Sequence, residues 1–156
     1  DYGAISIFDR LVHLSKKYSN CSVLVGYEMR LSKALKQGAD IWLNTPRITR
    51  EASGTSGMTA SMNASVNFSI PDGWIPEYSK HGINSFTPTP TDHTLSPFEQ
   101  DLIDNIKVMD MLENEILPLY YDEPQKWMNV VTNSMKDLLP FFDADRMAHE
   151  YYDKLY

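Results

Sequence analysis

At 156 residues the chain is the size of one domain and long enough to bury an ordinary core. A formal charge of −7 and a pI near 5.0 argue against a nucleic-acid partner, which needs a basic surface. No apolar run approaches the roughly 20 residues of a membrane helix.

The chain opens Asp1-Tyr2-Gly3, without an initiator Met or a basic-then-apolar stretch, so the expectation is a piece of a longer protein with no signal peptide. Ile5, Phe8, Leu11 and Val12 recur at helical spacing, and Ser22-Val23-Leu24-Val25-Gly26 reads as a short buried strand. Cys21, the one cysteine, closes no internal disulfide, which favours a reducing, cytoplasmic setting. Its place at the head of that apolar run predicts a buried thiol. Leu31, Ala34 and Leu35 mark a second helix, with Gly38 placed for a left-handed C-terminus.

Asp40 to Leu43 reads as a second strand, ended by Asn44-Thr45-Pro46. A glycine-rich turn then leads into a helix from about Met58 to Ala64, followed by a third strand, Val66 to Ile70. This alternation predicts parallel strands joined by crossover helices, the α/β class. Pro71 to Thr94 reads mostly as loop, with a short strand around Ile83 to Phe86. Beyond it Ser96-Pro97-Phe98-Glu99 forms a capping box, and Leu102, Ile106, Met109 and Leu112 an apolar stripe. Asp122 and Pro124 start a helix carrying Trp127, Val130, Val131 and Leu138; Asp143 caps a last one with Met147, Tyr151 and Leu155. The boundary between the α/β part and the helical part falls at 95/96.

Glu51-Ala52-Ser53-Gly54-Thr55-Ser56-Gly57-Met58 is the stretch that carries chemistry. A glycine-rich turn after a strand presents backbone N–H groups at the positive end of a helix dipole and lets a ligand come close. Beyond the C-terminal end of a parallel strand is where ligands bind in open α/β sheets. A carboxylate there suits sugar hydroxyls, although the same spacing equally allows Glu51 and Ser53 to cap the helix. No His or Cys pair has metal-ligand spacing. Ser53 and Ser56 lack a neighbouring base, and His13, His81, His93 and His149 read as exposed. Trp42 reads as core, Tyr120 and Tyr121 as packing between helices, and Trp74, beside a turn, as the tryptophan best placed to stack on a sugar.

The run Gly38-Ala39-Asp40-Ile41-Trp42-Leu43-Asn44-Thr45-Pro46-Arg47, the turn from Glu51, Asn63, Ile70-Pro71-Asp72-Gly73-Trp74 and the upstream Val25-Gly26-Tyr27-Glu28-Met29 together resemble the α-glucan (glycogen or starch) phosphorylases. The resemblance spans roughly Ser22 to Trp74. It implies a retaining glucosyltransferase of glycogen or starch metabolism, of GT-B type, with two Rossmann-like domains; this chain would be part of the C-terminal one, facing the N-terminal domain of its parent chain. It also implies that Glu51 binds a glucosyl hydroxyl, that the backbone of Ser53 and Gly54 binds neighbouring hydroxyls, and that Thr55, Ser56 and Gly57 surround the phosphate of pyridoxal phosphate, with Tyr27 close to that cofactor. The partners implied are an α-glucan and phosphate or a sugar phosphate.

The family's Schiff-base lysine follows the position of Met58, where this chain has Thr59. A hydroxyl forms no imine. Three readings stay open: a cofactor held non-covalently, a nucleotide-sugar donor as in related glucan synthases, or a non-catalytic glucan-binding or regulatory module.

Overall fold

A computed structural model describes residues 2–156. They divide into two compact units, one up to Ser32 and one from Lys33 to Tyr156.

In the first unit helix α1 (Tyr2–Lys17) forms as its spacing predicts, with Lys16 and Lys17 in the last turn where a cation suits the helix dipole. The expected strand Ser22–Gly26 does not form. Those residues are irregular, Val25 is 73% exposed, and Gly26 takes φ +85°. An apolar run becomes a strand only where a neighbouring strand takes up its N–H and C=O groups, and periodicity cannot report that neighbour. Cys21, expected buried with that run, is exposed for the same reason.

Helix α2 (Met29–Gly38) ends on Gly38 without the left-handed cap expected there. Strands β1 (Ile41–Asn44) and β2 (Val66–Ser69) then pair in parallel, in register from Ile41↔Val66 to Asn44↔Ser69. Helix α3 (Thr55–Ser61) lies between them in sequence, so the β–α–β unit of the α/β class is present. All four residues of β2 are buried, as befits a strand covered on both faces. Of the expected strand around Ile83 to Phe86, Phe86 pairs with β2. Its N–H donates to the Asn67 carbonyl at 2.8 Å, and its own carbonyl accepts from Ser69 N at 3.0 Å.

The main core joins Val66, Phe68, Ile70 and Phe86 to Val108, Ile116, Trp127, Val130 and Val131. A second cluster joins Trp74, Ile75 and Tyr78 of the short helix α4 (Ile75–Tyr78) to Leu138. Helix α5 (Pro97–Met111) starts on the expected capping box and runs through a π-helical turn, Leu112–Ile116, into α6 (Leu117–Asp122). Helix α7 (Pro124–Phe142) packs on α3 and β2 with Trp127, Val130, Val131 and Leu138 inward, as expected.

The stripe of Leu102, Ile106 and Met109 on α5 faces outward, and Leu112 just beyond the helix packs against the core. Leu102 and Ile106 are 52% and 59% exposed, while Gln100, Asp104 and Val108 are buried. The polar face is drawn in because it anchors the loop before the helix. Gln100 Nε2 donates to the Leu95 carbonyl at 2.7 Å, Thr91 Oγ1 donates to Asp104 at 2.6 Å, and Lys107 Nζ reaches the Thr89 carbonyl at 2.9 Å. Helix α8 (Ala144–Leu155) leaves Met147, Tyr151 and Leu155 exposed, and Asp143 stands at its N-cap position without a side-chain bond. A stripe shows that a helix has an apolar face, not what covers it. Among the described residues no helix is long and apolar enough to cross a membrane.

Candidate functional site

After β1 the chain passes through Thr49, held at φ +74°, an uncommon conformation for a β-branched residue, and enters the turn at Glu51. Helix α3 begins at Thr55, three residues earlier than the sequence suggests, so Thr55, Ser56 and Gly57 form its first turn. The cap is Gly54 itself, at φ +97°, a conformation glycine takes without strain. No side chain caps this helix, so neither Glu51 nor Ser53 has the capping role their spacing allowed. Glu51, Ser53 and Gly54 and the first turn of α3 thus form one continuous segment beyond the C-terminal end of β1.

The support for this segment comes from beyond the end of β2. Asp72 Oδ2 accepts the N–H groups of both Arg50 and Glu51, each at 2.9 Å. The Trp74 N–H donates to the Ser53 carbonyl at 2.9 Å. Gly73, at φ +58°, lies so close that a Cβ there would collide with the Ser53 carbonyl. Asn67 Nδ2 donates to the Gly57 carbonyl at 2.9 Å and to Ser61 Oγ. Trp74 is 4% exposed, so it does not offer its face to a glucan as expected. Its indole lies against Gly54 and Gly57, stacks on Tyr78 at 4.7 Å and meets Phe142 edge-on at 5.2 Å. Burial raises the Tyr78 phenol above its ordinary pKa. The roles of Asp72, Gly73 and Asn67 escape sequence reasoning, and the one signal was the Asp-Gly-Trp run itself.

Glu51 is half-buried, and its carboxylate has no hydrogen bond or ion pair among the described residues. Arg47 is occupied: its guanidinium pairs with both oxygens of Asp101, at 2.6 and 2.7 Å, and holds that carboxyl below its ordinary pKa. Tyr27 belongs to the first unit and is exposed.

Thr59 lies on the exposed side of α3, its hydroxyl donating to the Thr55 carbonyl at 3.0 Å and the Ser56 carbonyl at 3.1 Å. Asn63 Nδ2 donates to the Thr59 carbonyl at 2.8 Å. No lysine lies between Lys36 and Lys80, and Lys80 Nζ is 2.9 Å from Asp137. A covalently attached pyridoxal phosphate therefore does not fit the residues of this turn.

No family model matches the chain. It is 42% identical over its whole length to an uncharacterised protein of Methanocaldococcus jannaschii, of which it spans 29%. It is 40% identical over 86% of its length to the maltodextrin phosphorylase of Thermococcus litoralis, of which it spans 16%. It is 36% identical over 83% of its length to the glycogen phosphorylase of Aquifex aeolicus, spanning 19% of that protein. The chain thus spans less than a third of the curated relatives it matches. In structure it resembles Anabaena HepE, solved with UDP and glucose, at a TM-score of 0.63 and 18% identity over 99% of this chain and 38% of that one. At that identity the likeness speaks for the fold.

Proposed function

We propose that this chain, which belongs to the α-glucan phosphorylase family by its kinship with the maltodextrin and glycogen phosphorylases, forms the glucosyl-holding part of a retaining, GT-B-type glucosyltransferase. Residues 1–95 would be a segment of its C-terminal Rossmann-like domain, and residues 96–156 a helical segment packed on the same domain. An N-terminal domain would close the cleft and bring the basic groups that hold phosphate, in a cytoplasmic setting.

The observation that carries this reading is the Glu51 carboxylate. The residue is half-buried, its carboxylate has no hydrogen bond or ion pair among the described residues, and its Cγ lies close to Gly54 in the same turn, whose backbone N–H groups would serve the sugar beside it. A hexose ring presents neighbouring hydroxyls that both donate and accept. The carboxylate takes the donated hydrogens, and the amides serve the oxygens. In the reaction the glycosidic bond at C1 of the terminal glucose breaks, and a phosphate oxygen bonds to C1 on the same face. The phosphate proton passes to the departing glucan oxygen. The turn moves no proton itself; it fixes the ring so that C1 faces the incoming oxygen, a contribution of orientation.

Thr59 supports a second reading, in which a nucleotide sugar is the donor, because the imine-forming lysine is missing. The whole protein supplied with maltodextrin and inorganic phosphate is expected to release glucose 1-phosphate. Release of UDP from UDP-glucose with glucan extension, and no phosphorolysis, would select the second reading. Glucan binding without either turnover would leave a binding module.

A labelling experiment tests the cofactor directly. Incubation with pyridoxal phosphate, borohydride reduction and peptide mapping should find no label on the peptide around Thr59. A stoichiometric label on Lys80 in the wild-type protein would show the cofactor anchored elsewhere and overturn this expectation.

A further inference from the structure

We propose that Asp72 is the positioning residue of the glucosyl-binding turn, holding Glu51 in place through two successive backbone amides rather than by touching the sugar. The inference rests on the reading of Glu51 as the sugar-binding carboxylate.

The turn has little to hold its own shape, since its local bond, from Arg50 N–H to the Arg47 carbonyl at 3.0 Å, stops short of Glu51. Thr49 just before it has φ +74°, a conformation costly for a β-branched side chain that persists only where the surroundings impose it. Residues 50 to 53 lie outside regular secondary structure, and no side chain caps the helix that follows. Restraint has to come from elsewhere in the chain. It comes from three consecutive residues just past the end of β2. One Asp72 carboxylate oxygen receives the N–H groups of Arg50 and Glu51, both at 2.9 Å. Two amides converging on one charged oxygen make a pair of charge-assisted bonds. Gly73 lets its backbone press against Ser53 and the Glu51 side chain, and Trp74 N–H fastens the Ser53 carbonyl at 2.9 Å.

Asp72 is itself fixed by the sheet. Its N–H donates to the Ile70 carbonyl at 2.9 Å, and the Ile70 N–H donates to Asn44 at the end of β1 at 3.1 Å. The position of Glu51 is therefore referred to the ends of both parallel strands. Without Asp72 the Glu51 amide turns to water, the Arg50 amide keeps only its bond to the Arg47 carbonyl at 3.0 Å, the strain at Thr49 relaxes, and the carboxylate ranges over several positions.

The test compares Asp72→Ala and Asp72→Asn with the wild-type whole protein. Asn keeps an acceptor oxygen but not the charge. In Asp72→Ala, hydrogen exchange at the Glu51 amide should speed up by about tenfold or more, while the Arg50 amide, still bonded to the Arg47 carbonyl, changes less and the β2 amides stay protected. Misplacement on the order of 1 Å costs orientation about a hundredfold. So kcat for glucosyl transfer, in whichever of the two donor assays turns over, should fall about 10- to 100-fold with KM changing less than threefold. Asp72→Asn should recover most of that loss, which a merely structural defect would not predict. Unchanged amide exchange in Asp72→Ala overturns the proposal. So does faster exchange with unchanged kcat in a protein whose turnover depends on Glu51. If Glu51→Ala leaves turnover intact, the reading of Glu51 fails instead, and the exchange measurement still decides whether Asp72 holds the turn. Should Asp72→Ala not fold, the Asn variant carries both measurements through the residual loss expected without the charge, about two- to threefold in Glu51 amide exchange and in kcat, and no difference from wild type in either would overturn the proposal.

Discussion

Trp74→Ala is expected to lower the unfolding free energy by about 3–5 kcal/mol, a large share of the roughly 5–15 kcal/mol that holds most domains folded. The side chain is 4% exposed and belongs to the cluster with Ile75, Tyr78 and Leu138. Its ring stacks on Tyr78 and meets Phe142 edge-on, contacts worth about 0.5–1.5 kcal/mol each beyond the area they bury. The indole also fills the space against Gly54 and Gly57, so its loss leaves a void beside the first turn of α3. In urea the midpoint should fall by roughly 1–5 M, given an m-value of about 1–3 kcal/mol/M. Trp74→Phe should lose less, because a smaller ring still packs on Tyr78. A loss below about 1 kcal/mol for Trp74→Ala would show that the indole is not a packing element, and would reopen the reading of Trp74 as a surface for glucan.

What could be read in the sequence was what depends on near neighbours. Ile41-Trp42-Leu43 closed by Asn44-Thr45-Pro46, and the buried run from Val66, announced two strands with a helix between them, and these pair in parallel. The Ser96–Glu99 box is complete within four residues and formed as expected. What stayed hidden depends on distant partners. Ser22–Gly26 has the composition of a strand but no ladder. What covers the apolar stripe on α5 was not legible, because Gln100, Asp104 and Lys107 bind a loop that only the fold brings to them. The start of α3 was placed late because a left-handed glycine, not a side chain, caps it. At the site, Glu51 and Gly54 could be picked out from the turn alone. Asp72 could not, since it lies 21 residues away in sequence and acts on backbone rather than on a side chain.

Glu51→Ala is expected to separate the proposed sugar binding from folding. Its side chain has no hydrogen bond or ion pair among the described residues, and it does not cap α3. Truncating it leaves no polar group stranded, so stability should change by no more than about 0.5 kcal/mol, as at ordinary surface positions. The backbone N–H that Asp72 receives is still there in alanine, so the turn keeps its shape. The proposed hydrogen bond to a sugar hydroxyl is charge-assisted and worth about 1.5–3 kcal/mol. Its removal should lower kcat/KM for glucosyl transfer, or glucan affinity in a protein that only binds, by roughly 10- to 100-fold at 1.4 kcal/mol per factor of ten. Glu51→Gln keeps one acceptor oxygen without the charge and should fall between alanine and the wild type. The measurements are steady-state kinetics with maltodextrin and phosphate, or with UDP-glucose, beside a thermal melt of each variant. Turnover and glucan affinity within twofold of the wild type, in an alanine variant that melts normally, would remove Glu51 from the site. A melt lowered by many degrees would instead mean that the carboxylate has a structural partner in the whole protein.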